Sequence, residues 1–166
     1  MSPPSCRLFS LLAQGKEACF KTNNIRAGTN SCHNYKACRE VSGSIIENDS
    51  CHGDNACNSV QSSIIHDGSC YGGFSCYGVQ NANIGKGSCN YSRGDLVYSE
   101  QRSYSCEYVA NVKIGNNSCN GNKVCYKCKH YVPNNSCNQG ITDDMDIHGN
   151  CNYCKNGTPN DTTGES

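Results

Sequence analysis

The chain has 166 residues, among them 16 cysteines, and its 14 basic and 14 acidic side chains cancel to a formal net charge of zero. The balanced charge excludes the basic excess of a nucleic-acid-binding protein, and no stretch of the sequence is long and apolar enough for a membrane span. Trp is absent, Phe occurs 3 times, and Cys and Tyr supply much of the 36% hydrophobic fraction. An ordinary core of this size needs more Leu, Ile and Val, so cross-links, metal or repetition must stabilise the fold.

Residues 1–24 precede a 19-residue repeat that fills residues 25–132, and they are predicted to form its N-terminal cap. An uncapped stack of coils exposes strand edges and favours end-to-end self-association, so a cover is expected at this end. Cys19 fits a cysteine column of the repeat, and Cys6 is its expected partner across a longer loop. The apolar stretch 8–13 is short and is interrupted by Ser10, so we expect it not to serve as a signal peptide.

Two cysteine columns recur every 19 residues, with the spacing C-x5-C inside each unit. An Ile column lies five residues before the first Cys, a Ser column directly before it, and a Gly column two residues after it. Ala or Ser precedes the second Cys, and Val follows it by three residues. A unit this short cannot bury a hydrophobic face alone, so it must stack on its neighbours. One unit contains Ile46, Ser50, Gly53, Ala56 and Val60.

The residues of one unit suit three short strands and three turns rather than helices, because helical repeats need about 33 residues or more. We therefore predict an all-β parallel β-solenoid (β-helix) of about five 19-residue coils, stacked about 4.8 Å apart. The Ile, Cys, Ala or Ser, and Val columns are expected to point into the lumen. The turn before the first Cys carries pairs such as Asn48-Asp49 and Asp67-Gly68, which tolerate left-handed backbone.

The even separation of the two cysteines places them on one side of the coil, and a Gly-containing turn between them would bring them face to face. Such a bridge stabilises by roughly 2 kcal/mol through loop closure. Bridges between coils, Cys32 to Cys51 for example, are the alternative, because stacked Cα atoms also lie within disulfide reach. We favour bridges within a coil. The disulfide candidates are Cys6, Cys19, Cys32, Cys38, Cys51, Cys57, Cys70, Cys76, Cys89, Cys106, Cys119 and Cys125.

The pattern Ser-Cys-x-Gly-x-x-Ala-Cys, as it stands at residues 50–57, resembles the Cys-rich repeats of secreted or surface proteins in algae and other protists. The resemblance covers about residues 18–128 and implies a fold without an agreed activity. The C-x5-C spacing is also similar to that of beetle antifreeze solenoids. Those proteins carry a flat Thr-x-Thr array, whereas Thr is scarce here, so ice binding is disfavoured.

The fourth unit carries about 11 extra residues between Cys89 and Cys106. Insertions in solenoids map to loops on one face, which is often the binding face. The inserted loop, about residues 93–103, begins with Arg93, Gly94 and Asp95. This tripeptide resembles the integrin-binding sequence of adhesion proteins. We favour a solvated turn with one ion pair and keep a binding role as the alternative.

Residues 133–155 are predicted to close the solenoid, and residues 156–166 form a polar tail that is expected to be disordered. Two C-x2-C pairs, Cys125 with Cys128 and Cys151 with Cys154, match a zinc-ribbon pattern in which four thiolates meet one ion. In the alternative, Cys125 pairs with Cys119, as the repeat predicts, and Cys128 pairs with a cysteine of the closing segment. We favour the disulfides.

Few residues suggest catalysis. His33 and His52 share one column and His66 lies in a turn, and we interpret them as solvated residues rather than metal ligands. We therefore predict a non-enzymatic, cofactor-free extracellular or surface protein whose rigid rod and inserted loop contact a protein, glycan or matrix. A Cys-rich zinc-binding protein is the alternative. Six Asn-x-Ser/Thr sequons support secretion as candidate glycosylation sites. They begin at Asn48, Asn90, Asn116, Asn134, Asn156 and Asn160.

Overall fold

The computed structural model describes residues 17–91, 104–121, 124–138 and 151, together with the backbone of residues 7–8. Regular secondary structure in these residues consists of two-residue strands in a single parallel sheet, and they pair in chain order. The predicted all-β parallel β-solenoid is therefore confirmed. Within this described part of the chain, no helix is long and apolar enough to cross a bilayer. The strands are β1 Arg7–Leu8, β2 Arg26–Ala27, β3 Ile45–Ile46, β4 Ile64–Ile65, β5 Asn83–Ile84 and β6 Lys113–Ile114.

The register of the sheet follows the repeat. Arg26 pairs with Ile45, and Ile45 pairs with Ile64, so each residue lies beside its equivalent one coil later. Between β5 and β6 the partners are Asn83 and Lys113, and contacts at this level span 30 positions instead of 19. The insertion in the fourth unit is therefore accommodated without any shift of the coils on either side of it.

The lumen is filled by the apolar columns of the repeat. In each strand from β2 to β6 the second residue is buried and the first faces outward, because side chains alternate along extended backbone. Burying one such Ile or Val side chain stabilises by about 1.5–3 kcal/mol, so stacking supplies the core that one unit lacks. The largest lumen side chains are at most 1% exposed; they are Ile46, Ile65, Ile84, Ile114, Val41, Val60, Val79, Val109, Val124 and Val132.

The five coils whose cysteines lie between Cys32 and Cys125 turn through left-handed residues at both of their cysteines. In one coil φ is 61° at Cys51 and 52° at Cys57. The turn positions predicted to tolerate this backbone also adopt it, with φ of 52° at Asp49 and 65° at Gly68. A left-handed L residue costs roughly 1–2 kcal/mol, so packing and cross-links must offset the tight curvature of a coil this short.

The stack extends beyond the repeat limits 25–132 at both ends. Strand β1 lies within the segment predicted as a cap and pairs with β2 in coil register. At the other end Ile114 forms a parallel bridge with Val132, and the Cys119 N–H donates to the Ser136 carbonyl oxygen at 3.0 Å. The interval here is 18 positions, because one residue is missing before Val132. The first residues of the segment predicted to close the solenoid, 133–138, therefore continue its columns.

Candidate functional site

The cysteine columns form a ladder of disulfides along the lumen. Every cysteine among the described residues is disulfide-bonded. The bridges that join the two columns run within a coil and not between coils, which is the pairing favoured from the sequence. Cys19 is bonded as well, whereas Cys6, its predicted partner, lies outside the described residues. The bridges within coils are Cys32–Cys38, Cys51–Cys57, Cys70–Cys76, Cys89–Cys106 and Cys119–Cys125.

The residues of the predicted zinc set belong to disulfides wherever the structure describes them. Cys125 is bonded to Cys119, Cys151 is bonded to Cys137, and Cys128 is also in a disulfide. The sulfurs of Cys125, Cys137 and Cys151 all lie within 4.8 Å of one another. The fold thus brings two of the four predicted ligands together, but a disulfide sulfur lacks the thiolate charge that binds zinc.

Other predicted site residues lie outside the described residues, and their roles stay predictions. The described residues on either side of the inserted loop are held in the stack. Before the loop, the Tyr91 N–H donates to the Tyr71 carbonyl oxygen at 2.9 Å. After it, the Ser105 carbonyl oxygen accepts from the Cys76 N–H at 2.9 Å, and Cys106 is bridged to Cys89. Both ends of the insertion are therefore held by the coils. The residues outside the description are Arg93, Gly94, Asp95, Cys154, Asn156 and Asn160.

The Ser column next to the first Cys is a hydrogen-bonded ladder between coils. The buried Ser69 hydroxyl donates to the Gly85 carbonyl oxygen at 2.8 Å and accepts from the Ser88 N–H at 3.3 Å. Ser88 repeats this arrangement with Gly115 at 2.6 Å and with the Ser118 N–H at 3.0 Å. A hydroxyl serves because it both donates and accepts, and leaving these backbone groups unpaired in the interior would cost about 1–3 kcal/mol each.

A second ladder runs along the exposed turn two residues before the Ser column. The Thr29 N–H donates to Asn48 Oδ1 at 2.9 Å, and the Asn48 N–H donates to Asp67 Oδ1 at 3.0 Å. The Lys86 side chain has no hydrogen-bond acceptor, so the ladder is interrupted at this position. The Asp67 N–H donates instead to Glu47 Oε2 at 3.3 Å. The ladder resumes in the lower coils, as we call those toward the C-terminal end of the stack; the upper coils are those toward the N-terminal end. The Lys86 N–H donates to Asn116 Oδ1 at 2.9 Å, and the Asn116 N–H donates to Asn134 Oδ1 at 2.8 Å.

These two ladders together generate the sequons. The turn ladder favours Asn, and the buried ladder requires Ser two residues later, so Asn-x-Ser arises from packing alone at Asn48, Asn116 and Asn134. These three residues are exposed, and their Nδ2 atoms, which glycosylation would modify, have no acceptor among the described residues. Asn90 differs, because its Nδ2 donates to the Gly68 carbonyl oxygen at 2.9 Å. The sequons are therefore weaker evidence for secretion than their number suggests.

The column after the first Cys begins with stacked rings. The rings of His33 and His52 lie 4.8 Å apart at 4°, and those of His52 and Tyr71 lie 4.5 Å apart at 7°. His52 Nε2 donates to the Asn30 carbonyl oxygen at 2.7 Å. Burial lowers the pKa of His52, and the neighbouring His33 adds to that shift. The column has a structural role, since lower coils carry Asn90, Asn120 and Asn138 there, whose Oδ1 atoms accept N–H groups from the coil before.

An aromatic cluster lies beside the point where the inserted loop returns. Its ring centroids are 5.6–6.2 Å apart in tilted or edge-to-face arrangements, which the aromatic quadrupole favours. Tyr108 and Tyr126 are exposed by 44% and 46%, although they pack within the cluster. This surface is not evident in the sequence, because the insertion separates its members along the chain. The cluster consists of Phe74, Tyr77, Tyr104, Tyr108 and Tyr126.

A cleft lies where two successive coils have glycine at the same position of the repeat. This column holds Glu47 and His66 in the upper coils, and Gly85 and Gly115 below them. A Cβ on Gly85 would lie 2.6 Å from the Gly115 carbonyl carbon, and one on Gly115 would lie 2.5 Å from the Asn134 nitrogen, so the stacked backbone leaves room only for glycine. The result is an open cavity of about 470 Å³, which we name the glycine cleft.

The glycine cleft has two walls and one closed end. Outward residues of the strand column form one wall: Asn83, Lys113 and Tyr131. The turn ladder forms the other wall with Lys86, Asn116 and Asn134. At the upper end His66 Nδ1 lies 3.0 Å from Glu47 Oε2, so that carboxylate already has partners. Neither Lys86 nor Lys113 has an ion-pair partner among the described residues, so the open part of the cleft carries unpaired positive charge.

A comparison with protein families matches residues 9–94 to the domain of unknown function DUF7640. The matched segment spans a little more than half of the chain and includes the upper coils with their disulfides. The chain belongs to this family. The match to DUF7640 ends within the inserted loop, so Lys113, Asn116 and Tyr131 of the glycine cleft lie beyond it. Neither a search of curated proteins nor a search of solved structures gives a match.

Proposed function

We propose that this protein is a non-enzymatic extracellular or surface module, a rigid solenoid that presents fixed binding surfaces to a partner or matrix. The observation that carries the proposal is the disulfide in each described coil. Disulfides form and persist in oxidising compartments and are rare where glutathione keeps thiols reduced. So many closed bridges in a chain of this length fit a protein that functions outside the reducing cytosol.

The rigidity of the rod follows from how each coil is held. Backbone hydrogen bonds join each coil to both neighbours, the buried Ser ladder adds side-chain bonds, and the bridge fixes the coil from within. The exposed aromatic cluster and the glycine cleft are built on this framework, so their side chains start from defined positions. Preorganised surfaces lose less conformational entropy on binding, which suits a binding role.

The proposed role is non-enzymatic because the cysteine sulfurs that a nucleophilic site would use are in disulfides wherever the structure describes them. The histidines that share columns or turns with them are also engaged: His33 and His52 stack, and His66 pairs with Glu47. A binding role uses the exposed surfaces and needs none of these groups to react.

Intact mass spectrometry of the protein purified from an oxidising secretory host tests the proposal. Each paired sulfur lowers the mass by about 1 Da relative to the thiol form, so full pairing of the 16 cysteines gives a deficit of about 16 Da that reduction removes. Alkylation before reduction should label no cysteine. Extensive labelling of native protein from cells that express it naturally would contradict an extracellular role.

A Cys-rich zinc-binding protein is the second candidate, and the close approach of the Cys125, Cys137 and Cys151 sulfurs favours it. It requires reduction of the Cys119–Cys125 and Cys137–Cys151 bridges, since zinc binds thiolates. The thiol labelling described above, combined with zinc analysis after gel filtration, separates the two candidates. Native protein that retains zinc through gel filtration and shows free thiols supports the zinc role, whereas zinc-free protein with paired sulfurs supports the extracellular module.

A further inference from the structure

We propose that the open part of the glycine cleft binds an acidic oligosaccharide, with a carboxylate or sulfate group near Lys86 and Lys113 and a sugar ring on Tyr131. The inference rests on the proposed function as an extracellular binding module and names the class of ligand for one of its surfaces. Three properties of the cleft support it: its charge, its free donors and its exposed ring.

The charge of the turn face changes sign along the stack. The upper levels carry Glu47, Asp49 and Asp67, and each of these carboxylates already accepts a hydrogen bond from a described residue. The lower levels carry Lys86 and Lys113, on opposite walls of the cleft and without an ion-pair partner among the described residues. A ligand with negative charge therefore fits the lower levels and is repelled by the upper ones.

The polar atoms that remain free in the cleft are mainly donors. The Oδ1 atoms of Asn116 and Asn134 are used by the turn ladder, which leaves their Nδ2 groups available. The lysine ammonium groups also donate and cannot accept. Sugar hydroxyl, carboxylate and sulfate oxygens are acceptors that match this set, and hydrogen bonds to charged donors are about twice as strong as neutral ones.

The exposed ring distinguishes a sugar from a small inorganic anion. Tyr131 is 52% exposed at the wall of the cleft, next to Lys113 in the outward strand column. An aromatic side chain with an apolar face and a polar tip suits a ligand that has both C–H and hydroxyl surfaces. The cleft also adjoins a second depression of about 500 Å³ that shares Lys86 and Asn116. Asp49 and Asp67 line its upper part, so an acidic ligand would extend only into its lower part, beside Gly87 and Asn117.

The test titrates the oxidised full-length protein with a tetrasaccharide of galacturonic acid, using calorimetry for affinity and ¹⁵N NMR for location. We expect binding with shifts at the amides of Gly85 and Gly115. A neutral tetrasaccharide of galactose should bind about tenfold more weakly or not at all, because it lacks charge for the lysines. K86Q/K113Q should weaken binding by about tenfold. Y131A should weaken binding severalfold, whereas Y131F, which keeps the aromatic ring, should bind about as tightly as the parent protein.

The matched control is R26Q, because Arg26 is exposed in the same strand column but lies four levels away from Lys113, about 19 Å by the stacking distance. Its affinity should stay within about twofold of the parent. No binding, equal binding of the neutral sugar, an unchanged K86Q/K113Q or shifts centred elsewhere would overturn the inference. Inorganic sulfate that binds as tightly as the tetrasaccharide would also overturn it, leaving only an anion site. Free thiols in the starting protein would contradict the proposed function instead.

Discussion

Removal of single disulfides measures how far loop length determines the stability of a coil. Cys70–Cys76 has a sequence separation of 6, whereas Cys89–Cys106 spans the insertion with a separation of 17. The chain-entropy model assigns about 2.4 kcal/mol to a loop of about 7 residues and about 3.2 kcal/mol to one of about 18. The double substitution C89A/C106A should therefore destabilise by about 0.8 kcal/mol more than C70A/C76A.

The two sites are well matched for this comparison. All four cysteines are 0% exposed and all four have positive φ, between 52° and 63°, so the lost packing and the strain of alanine are similar and cancel in the difference. Because Trp is absent, equilibrium urea unfolding is followed by far-UV circular dichroism. Equal losses, or a larger loss for C70A/C76A, would refute the reasoning that the bridges act chiefly by restricting the unfolded chain.

Three further predictions concern the stacking of coils and its response to pH. G53A should lower the free energy of unfolding by several kcal/mol, because the added Cβ would lie 2.5 Å from the backbone of the next coil. In G68A the added Cβ meets nothing within 4 Å, so this variant should lose only about 1 kcal/mol. Thermal melts of the two variants and the parent compare these losses. S69A should cost about 2–3 kcal/mol through the broken ladder, against less than about 0.5 kcal/mol for the exposed S62A in urea titrations. The folded pKa of His52 lies below 6.5, so the unfolded chain binds the proton more readily than the folded chain does. The free energy of unfolding should therefore fall as the pH drops below about 6.5. H52N should reduce the dependence of this free energy on pH, and an unchanged dependence would exclude His52 as its source.

The coil architecture can be predicted from the sequence because packing requires similar residues at equivalent positions of every unit. Ile46 and Ile65 recur at 19 residues because they lie beside each other in β3 and β4, and Cys51 and Cys57 recur with them because the bridge closes each coil. The same columns predicted the lumen. Periodicity of this kind reports contacts between equivalent positions, so it succeeds wherever one level resembles the next.

The glycine cleft could not be predicted in the same way, because it depends on a difference between levels. Gly85 and Gly115 are unremarkable in a chain with 17 glycines, and they become neighbours only when the insertion between them is removed from the count. The coil that contains Val132 could not be found from the 19-residue repeat for a related reason. A search at a fixed interval of 19 passes over Val132, which follows Ile114 by 18 positions.

The stack tolerates both a long insertion and a one-residue deletion because each coil contacts only the coils on either side of it. An error of length is therefore confined to the turn where it occurs. Duplication of a whole unit would lengthen the rod by about 4.8 Å and would carry its own disulfide with it. Recombination between repeats thus offers the gene a route to proteins of many heights, each assembled from parts already compatible with one another.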